Sequence, residues 1–542
     1  MKKLLAVLSA LFMVTATAGC MSLGGESGGL GGSGGSGGSG DASLHILAAT
    51  ELKDLEPLIQ QAADDLGKDI SVSYDGGTLE NSQGLKDGGY DGTYDATWFA
   101  TNRYADLIGA SDALADQYPL ANSPIALGVR SDLAQQKGWV DNPPTWDDLV
   151  AAADAGELSF GMTDPTASNS GFSTVVSAAT ALADTGLALT EEDINRVAPQ
   201  LQTFFSSQTV SSGSSGWLAD TFAQDPTKAD AIFNYESTLF QLKKAGQDIE
   251  VVVPADGTIT ADYPLSALKH PQNTGSGEAV RELADWFQEH QQEVADTYRR
   301  PVQGVDTLPA ELARHTPIEL PFPATENVTT QLLDKYNGEF RMPGQSTFLL
   351  DTSGSMEGER LASLKRIMHE LIGGTAATST GDVSFRDRES VELLPFNDAL
   401  EEGASSVIAD ADPASRENLD AFVNNLEPGG YTATYAALEQ VLTQQAAAKA
   451  KSESTQDQNE ETRTPTVVLL SDGQATAEPF YDQFVADYGQ HPEWSGIPVF
   501  VILYGEANRG EMEQLAQLTG GKVFDAQNGD LAETFKEIRG YQ

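Results

Sequence analysis

Residues 346–356 read STFLLDTSGSM. Ser346-Thr347-Phe348-Leu349-Leu350 is an apolar strand, and Asp351-Thr352-Ser353-Gly354-Ser355 follows as D-x-S-x-S, leading into a helix over Leu361–Leu371. A carboxylate and two hydroxyls where a strand turns into a helix mark the crevice that open α/β sheets leave at their strand ends. Alone the motif is weak, since chance supplies on the order of a quarter of such a match in a chain of this size. Two later stretches sharpen it. Residues 428–438, PGGYTATYAAL, form a Gly-rich loop entering a helix, and the buried strand Val467–Leu470 ends in Ser471-Asp472-Gly473. Three loops at sheet ends thus offer two carboxylates and three hydroxyls. Oxygen donors of low total charge fit a hard cation that keeps some of its waters.

As an ordered set these segments resemble the von Willebrand factor A (VWA) domain with its metal-ion-dependent adhesion site, over about 195 residues. The resemblance implies a doubly wound, Rossmann-like α/β domain over residues 345–542. It implies direct metal ligation by Ser353, Ser355 and Thr432, with Asp351 and Asp472 holding ligated waters. The ion would be Mg²⁺, or another divalent cation such as Mn²⁺ or Ca²⁺, with a sixth position open to an acidic protein partner. Tyr431 is inserted where the family has Gly-Gly-Thr, so Thr434 competes with Thr432; Thr432 keeps the family's spacing to Ala437-Leu438. The plainer reading is that Asp351 and Asp472 only cap turns. The pattern completes with strands at Val391–Phe396, Pro498–Tyr504 and Val523–Phe524 and helices at Glu511–Leu518 and Leu531–Ile538. Lys451–Thr464, KSESTQDQNEETRT, reads as an exposed polar loop.

Upstream, residues 42–320 alternate short apolar strands with amphipathic helices, which predicts parallel, doubly wound sheets. Leu44–Ala49 is a strand, Thr50-Glu51-Leu52 opens a helix, and Ile70–Tyr74 is a second strand. Six segments carry a resemblance to the bacterial extracellular solute-binding proteins, in particular the type II group related to molybdate- and phosphate-binding proteins. They are LHILAATELKDL (44–55), YDATWFATNRY (94–104), SPIALGVRSDLA (123–134), FGMTDPTASNSGFSTVV (160–176), ADAIFNYESTLFQL (229–242) and TITADYPLSALKHP (258–271).

That resemblance implies two α/β lobes, residues 43–123 with 268–320 and residues 130–260, joined by crossings at Pro124–Val129 and Ala261–Ala267. A ligand held between them would sit on helix N-termini, where unpaired N–H groups and the positive dipole end converge. The candidates are Thr50, Gly77-Thr78 and Ser168-Asn169-Ser170-Gly171, each of which also reads as an ordinary N-cap. Glu236, after the apolar run Ala231–Tyr235, would instead favour a cationic or hydroxylated ligand, or serve as a lobe-closing or surface charge. Residues 321–344 read as a Pro-containing connector.

The chain begins MKKLLAVLSALFMVTATAGC. Lys2 and Lys3, the apolar run Leu4–Val14 and the small residues that follow form a signal peptide over residues 1–19, too short to span a bilayer permanently. Thr17-Ala18-Gly19-Cys20 resembles the bacterial lipobox, which implies lipidation at Cys20; the alternative is cleavage after Ala16-Thr17-Ala18. Residues 20–41 then hold the modified cysteine and a Gly/Ser tether of about 25 Å r.m.s. reach. No later stretch approaches 18 uninterrupted apolar residues.

The 542 residues hold 32 Lys+Arg against 80 Asp+Glu, a net charge of −48. Such a surface repels phosphate backbones and anionic lipid, so nucleic acid is not expected as a partner. A single cysteine excludes disulfide frameworks and Cys-based metal sites. The expected protein is therefore a non-enzymatic, extracytoplasmic, lipid-anchored binder of a small solute and of an acidic protein partner. Its alternative is the substrate-delivery lipoprotein of an ABC importer. A metal-dependent hydrolase is least favoured, because aspartyl phosphatases carry their general acid where this chain has Ser353.

Overall fold

The computed structural model describes residues 43–74, 76–373, 377–378, 381–382, 384–409, 411–454, 464–472, 474–504 and 508–525. The signal peptide, Cys20, the tether, the expected helix Leu531–Ile538 and most of the expected polar loop lie outside them. Among the described residues no helix is long and apolar enough to cross a membrane.

The N-terminal half contains strands β1 (Leu44–Ala48), β2 (Ile70–Ser73), β3 (Ala96–Trp98), β4 (Leu114–Pro119), β5 (Ala121–Arg130) and β6 (Phe160–Thr163). It continues with β7 (Gln208–Ser212), β8 (Ala231–Tyr235), β9 (Ile249–Val252), β10 (Thr260–Ala261), β11 (Pro264–Leu268) and β12 (Arg300–Pro301). One sheet has the order β2-β1-β3-β11-β4; the other runs β10-β5-β8-β6-β7, with β9 and β12 also pairing β5. Both are mixed rather than parallel throughout: β11 runs antiparallel to β3 and β4, and β5 antiparallel to β8 and β9. This corrects the all-parallel expectation, since the returning strands add to each sheet from the opposite direction.

The first crossing sits elsewhere than expected, whereas the return falls inside the expected Ala261–Ala267. Only Leu120 separates β4 in the first sheet from β5 in the second, so Pro124–Val129 is interior strand of the second lobe. Pairing on both sides and an almost fully buried side-chain row make that run core. The return passes through Asp262-Tyr263, between β10 and β11. Tyr263 is buried and has φ +41°, an uncommon backbone region for a residue with a side chain.

Residues 321–344 are more than a connector. The helix Glu326–Lys335 and the wide turn Tyr336–Phe340 insert Leu332, Tyr336 and Phe340 into the core of the N-terminal half. Tyr336 stands edge-on to Phe205 at 5.1 Å and donates to Gln208 Oε1 at 2.7 Å. Three aromatic or aliphatic anchors in a short segment explain why it packs rather than swings.

The C-terminal half begins with β13 (Gly344–Asp351), followed by the short hairpin β14 (Ala377–Thr378) and β15 (Gly381–Asp382). Its main sheet adds β16 (Ser390–Phe396), β17 (Ala404–Val407), β18 (Thr464–Ser471), β19 (Val499–Leu503) and β20 (Val523–Asp525). The order is β17-β16-β13-β18-β19-β20, parallel except for the edge strand β17. Alternate residues of the central strands face two cores: Phe348, Leu350, Val468 and Leu470 lie in one, Leu349, Val467 and Leu469 in the other. The helix Glu359–Gly373 covers the first face and the helix Thr434–Ser454 the second. Coverage on both faces is why these strands read as continuous apolar runs. The polar stretch expected as a loop from Lys451 thus starts as helix, through Ser454.

Candidate functional site

The strand order of the C-terminal sheet reverses between β13 and β18, the position where such sheets leave a ligand crevice. The expected metal residues gather there. Asp351 ends β13 fully buried; its Oδ1 accepts from the Ser353 N–H at 2.9 Å and its Oδ2 from the Ser471 hydroxyl at 2.6 Å. Burial raises the Asp351 carboxyl above the usual carboxylate range, the nearby Asp472 adds to this, and the two serines oppose it. Ser353 Oγ and Ser355 Oγ are 3.0 Å apart.

The second loop closes onto the first through Gly354 N–H to Gly430 C=O at 3.1 Å and Gly429 N–H to Thr352 C=O at 2.8 Å. Thr432 is tied to the loop after β18, its N–H donating to Thr476 Oγ1 at 2.8 Å and its C=O accepting from Thr476 N–H at 2.9 Å. Thr434 opens the following helix with its hydroxyl buried and unpartnered. Asp472 is buried, and Arg360 donates to its Oδ2 at 2.9 Å while Oδ1 is left with no partner. A buried carboxylate oxygen without a donor is costly, and Arg360 satisfies only Oδ2. The orphaned Asp472 oxygen and the adjoining serine hydroxyls therefore fit a hard divalent cation. Among the described residues no group of three or more His, Cys, Asp or Glu is placed to hold a metal.

The rim of this crevice holds Tyr431, 68% exposed. Its N–H donates to Asp398 Oδ1 at 2.6 Å, and Gly430 before it has φ +76°. A side chain at Gly430 would also meet Asp398 at 2.9 Å, so glycine is required there. The inserted tyrosine is held outward by this clamp.

At the lobe junction the structure assembles most of the expected solute residues. The helix Thr78–Lys86 starts after Gly77, whose missing Cβ would lie 2.1 Å from the Ala167 carbonyl of the other lobe. Thr78 Oγ1 accepts from the Ala100 N–H at 3.2 Å. Ser170, in the first turn of the helix Asn169–Ala183, has its Oγ 2.8 Å from both Thr163 Oγ1 and Ser215 Oγ. Gly171 donates its N–H to Thr163 Oγ1 at 2.7 Å, and a Cβ there would strike the Thr163 carbonyl at 2.1 Å. Ser215 begins the helix Ser215–Gln224, and Gly216 beside it faces Thr50 of the first lobe. Thr50 itself opens a short 3₁₀ segment, Thr50–Leu55, ahead of the helix Glu56–Leu66.

Glu236 is placed differently. It is fully buried, and both its oxygens accept from Arg300, at 2.8 and 2.9 Å, with His315 Nε2 at 3.4 Å. It pins β12 to the second lobe, the lobe-closing role, and its oxygens are occupied. The carboxylate that does reach the junction is Glu51, which the sequence reading placed in the helix-opening run Thr50-Glu51-Leu52 without a role. Its Oε1 is buried without a partner, and burial pushes its carboxyl up to about 7. Ser215 was also missed; its only sequence signal is the run Ser214-Ser215-Gly216 before a helix.

Comparison with known proteins agrees with both halves. Residues 39–298 match the bacterial extracellular solute-binding protein family, and residues 347–538 match the von Willebrand factor type A domain. No curated protein sequence matches the chain. Similar solved structures include the periplasmic binding protein AfuA from Actinobacillus pleuropneumoniae with fructose-6-phosphate bound. It is 13% identical over 55% of this chain and 98% of its own, with a TM-score of 0.44. The sulfate-binding protein SubI from Mycobacterium tuberculosis is 18% identical over 53% and 98%, with a TM-score of 0.41. A von Willebrand factor type A protein from Catenulispora acidiphila is 18% identical over 37% of this chain and 42% of its own, with a TM-score of 0.28. The chain joins a bacterial extracellular solute-binding domain, residues 39–298, to a C-terminal von Willebrand factor type A domain, residues 347–538.

Proposed function

We propose that this protein is a lipid-anchored, extracytoplasmic receptor. Its N-terminal domain captures a small solute between two lobes, and its VWA domain docks an acidic protein partner through a divalent cation. Cys20 carries the lipid, and the Gly/Ser tether lets the folded domains clear the membrane. The observation that carries the docking half is the buried, unpartnered Asp472 oxygen, with Asp472 joined through Arg360 to the Ser355 carbonyl of the loop that carries the Ser353–Ser355 hydroxyl pair. Ser353, Ser355 and Thr432 would hold Mg²⁺ directly, with Asp351 and Asp472 behind them through water. When bound, the ion supplies an electrophilic position for an external carboxylate. Tyr431 at the rim adds an exposed aromatic of the kind that anchors protein interfaces. Ser353 at the position of a phosphatase's general acid supports a binding role over hydrolysis.

Titration calorimetry of the purified protein with Mg²⁺ tests this. The parent should bind one ion and Asp351→Ala should not; equal binding by both defeats the assignment. For the anchor, Cys20→Ser should move the protein from the membrane fraction to the soluble one.

A further inference from the structure

The lobe junction has two chemically opposite ends. One is rich in donors: the first turns of the helices Thr78–Lys86, Asn169–Ala183 and Ser215–Gln224, with the hydroxyls of Ser170 and Ser215. The other is rich in acceptors. Glu51, from the first lobe, has Oε1 buried with no partner. The Tyr235 hydroxyl lies beside that carboxyl and accepts from Asn169 Nδ2 at 3.1 Å. Asn169 is 1% exposed, and its Oδ1 is a second buried acceptor without a partner. The ring of Tyr263, 1% exposed, lies 5.9 Å from that of Tyr235.

The nearby cation does not satisfy this end. Arg299 is fully buried and spends its Nη atoms on Asp54, at 2.9 and 2.8 Å, on the Glu51 backbone carbonyl at 2.9 Å and on Thr297. The guanidinium thus hydrogen-bonds one carboxylate, Asp54, and reaches Glu51 only at its backbone carbonyl, leaving an excess negative charge when Glu51 is ionised. Burial is the largest influence raising the Glu51 carboxyl; Arg299 and Tyr235 oppose it and Asp54 adds to it. Two orphaned acceptors need at least two donors, and a negative charge needs a positive one. A hydroxyl supplies a single donor, whereas an ammonium supplies three together with the charge, and it sits favourably against tyrosine rings.

We propose that the junction binds a small zwitterion. Its oxyanion rests on the helix ends at Thr78, Asn169–Ser170 and Ser215, and its ammonium rests against Glu51, Asn169 Oδ1 and the Tyr235–Tyr263 pair. This rests on the solute-binding reading above and narrows its substrate class.

The test uses the full-length protein and matched probes, phosphoethanolamine against ethyl phosphate and taurine against ethanesulfonate, by calorimetry and thermal shift. The ammonium-bearing member of at least one pair should bind about tenfold tighter or better, a difference of about 1.4 kcal/mol. Glu51→Gln should reduce that preference to within about twofold; Glu51→Asp should retain part of it. The double variant Ser170→Ala/Ser215→Ala should weaken both members of the pair. Equal binding of both members by the parent, or an undiminished preference in Glu51→Gln, overturns the zwitterion while solute binding stands. If no probe binds and no small molecule co-purifies, both readings fall.

Discussion

Arg386 of the VWA domain places Nη2 3.9 Å from Oδ2 of Asp164 in the solute-binding domain. Asp164 follows β6 and organises the loop ahead of Ser168–Gly171. Its Oδ1 accepts from Thr166 N–H at 2.8 Å, and its carbonyl accepts from Ala167 and Ser168 at 3.2 and 2.9 Å. Close by, Lys522 of the VWA domain lies 5.0 Å over the ring of Trp217, in the first turn of the helix Ser215–Gln224. The C-terminal domain therefore touches two of the second-lobe segments that reach the lobe junction.

Such contacts predict reciprocal coupling. Solute should change the affinity for Mg²⁺, and Mg²⁺ the affinity for solute, by the same factor, roughly fivefold or more. Calorimetry of each ligand in the presence and absence of the other measures both arms. Arg386→Ala combined with Lys522→Ala should bring the factor towards one without abolishing either binding event. Coupling unaltered in that variant would mean that the two contacts transmit nothing.

The buried pair of Glu236 and Arg300 predicts a loss of stability with little effect on recognition. Arg300→Ala leaves a fully buried carboxylate without its bidentate partner and should cost about 3–5 kcal/mol in urea denaturation. Glu236→Gln should leave the ranking of bound solutes unchanged, because both Glu236 oxygens already face Arg300. A change in that ranking would return Glu236 to the solute site.

These residues show where sequence reading reaches its limit. Asp351, Ser353, Ser355, Thr432 and Asp472 were legible because strand-to-helix turns place them within a few residues of runs whose burial is plain. The serine-rich helix start at Ser170 was legible for the same reason. Glu236 was not, because its partner lies 64 positions away and no local pattern announces Arg300. Glu51 looked like an ordinary acid in a first helical turn; only the second lobe closing over it makes it a buried acceptor. The first crossing was misplaced because β5 continues directly from Leu120, so hinge and strand share one apolar run.

Glu51 also predicts a pH dependence. Its folded value of about 7 lies above the ordinary 4.5, so between these values the native state binds more protons than the unfolded chain. Stability is then highest at low pH in this window and falls as pH rises through 7, by at most roughly 3 kcal/mol. Asp256 and Asp262 are also raised, both chiefly by burial, and act in the same direction. The comparison that isolates Glu51 is therefore with Glu51→Gln, whose stability should decline less between pH 5 and pH 8. Parallel curves for the two proteins would assign the slope to other groups.

The proposed metal loops allow ion binding and docking to be tested separately. Thr432→Ala removes a proposed direct ligand and should weaken Mg²⁺ by at least the roughly 10–100-fold expected when a metal site loses an outer-shell partner. Thr434→Ala should affect stability more than affinity, since its buried hydroxyl stands at a helix start rather than on the loop. The opposite ranking would transfer the ligand role to Thr434. Tyr431→Ala should leave Mg²⁺ affinity unchanged, because that side chain points into solvent while its backbone alone is clamped by Asp398. Its loss should appear only against an acidic partner captured in Mg²⁺ and released by EDTA, as faster dissociation in surface plasmon resonance. Gly430→Ala should disturb both readouts together, because it forces a side chain onto Asp398 at a backbone with φ +76°. A Tyr431→Ala protein that loses Mg²⁺ affinity as well would show that the rim and the ion site are a single unit.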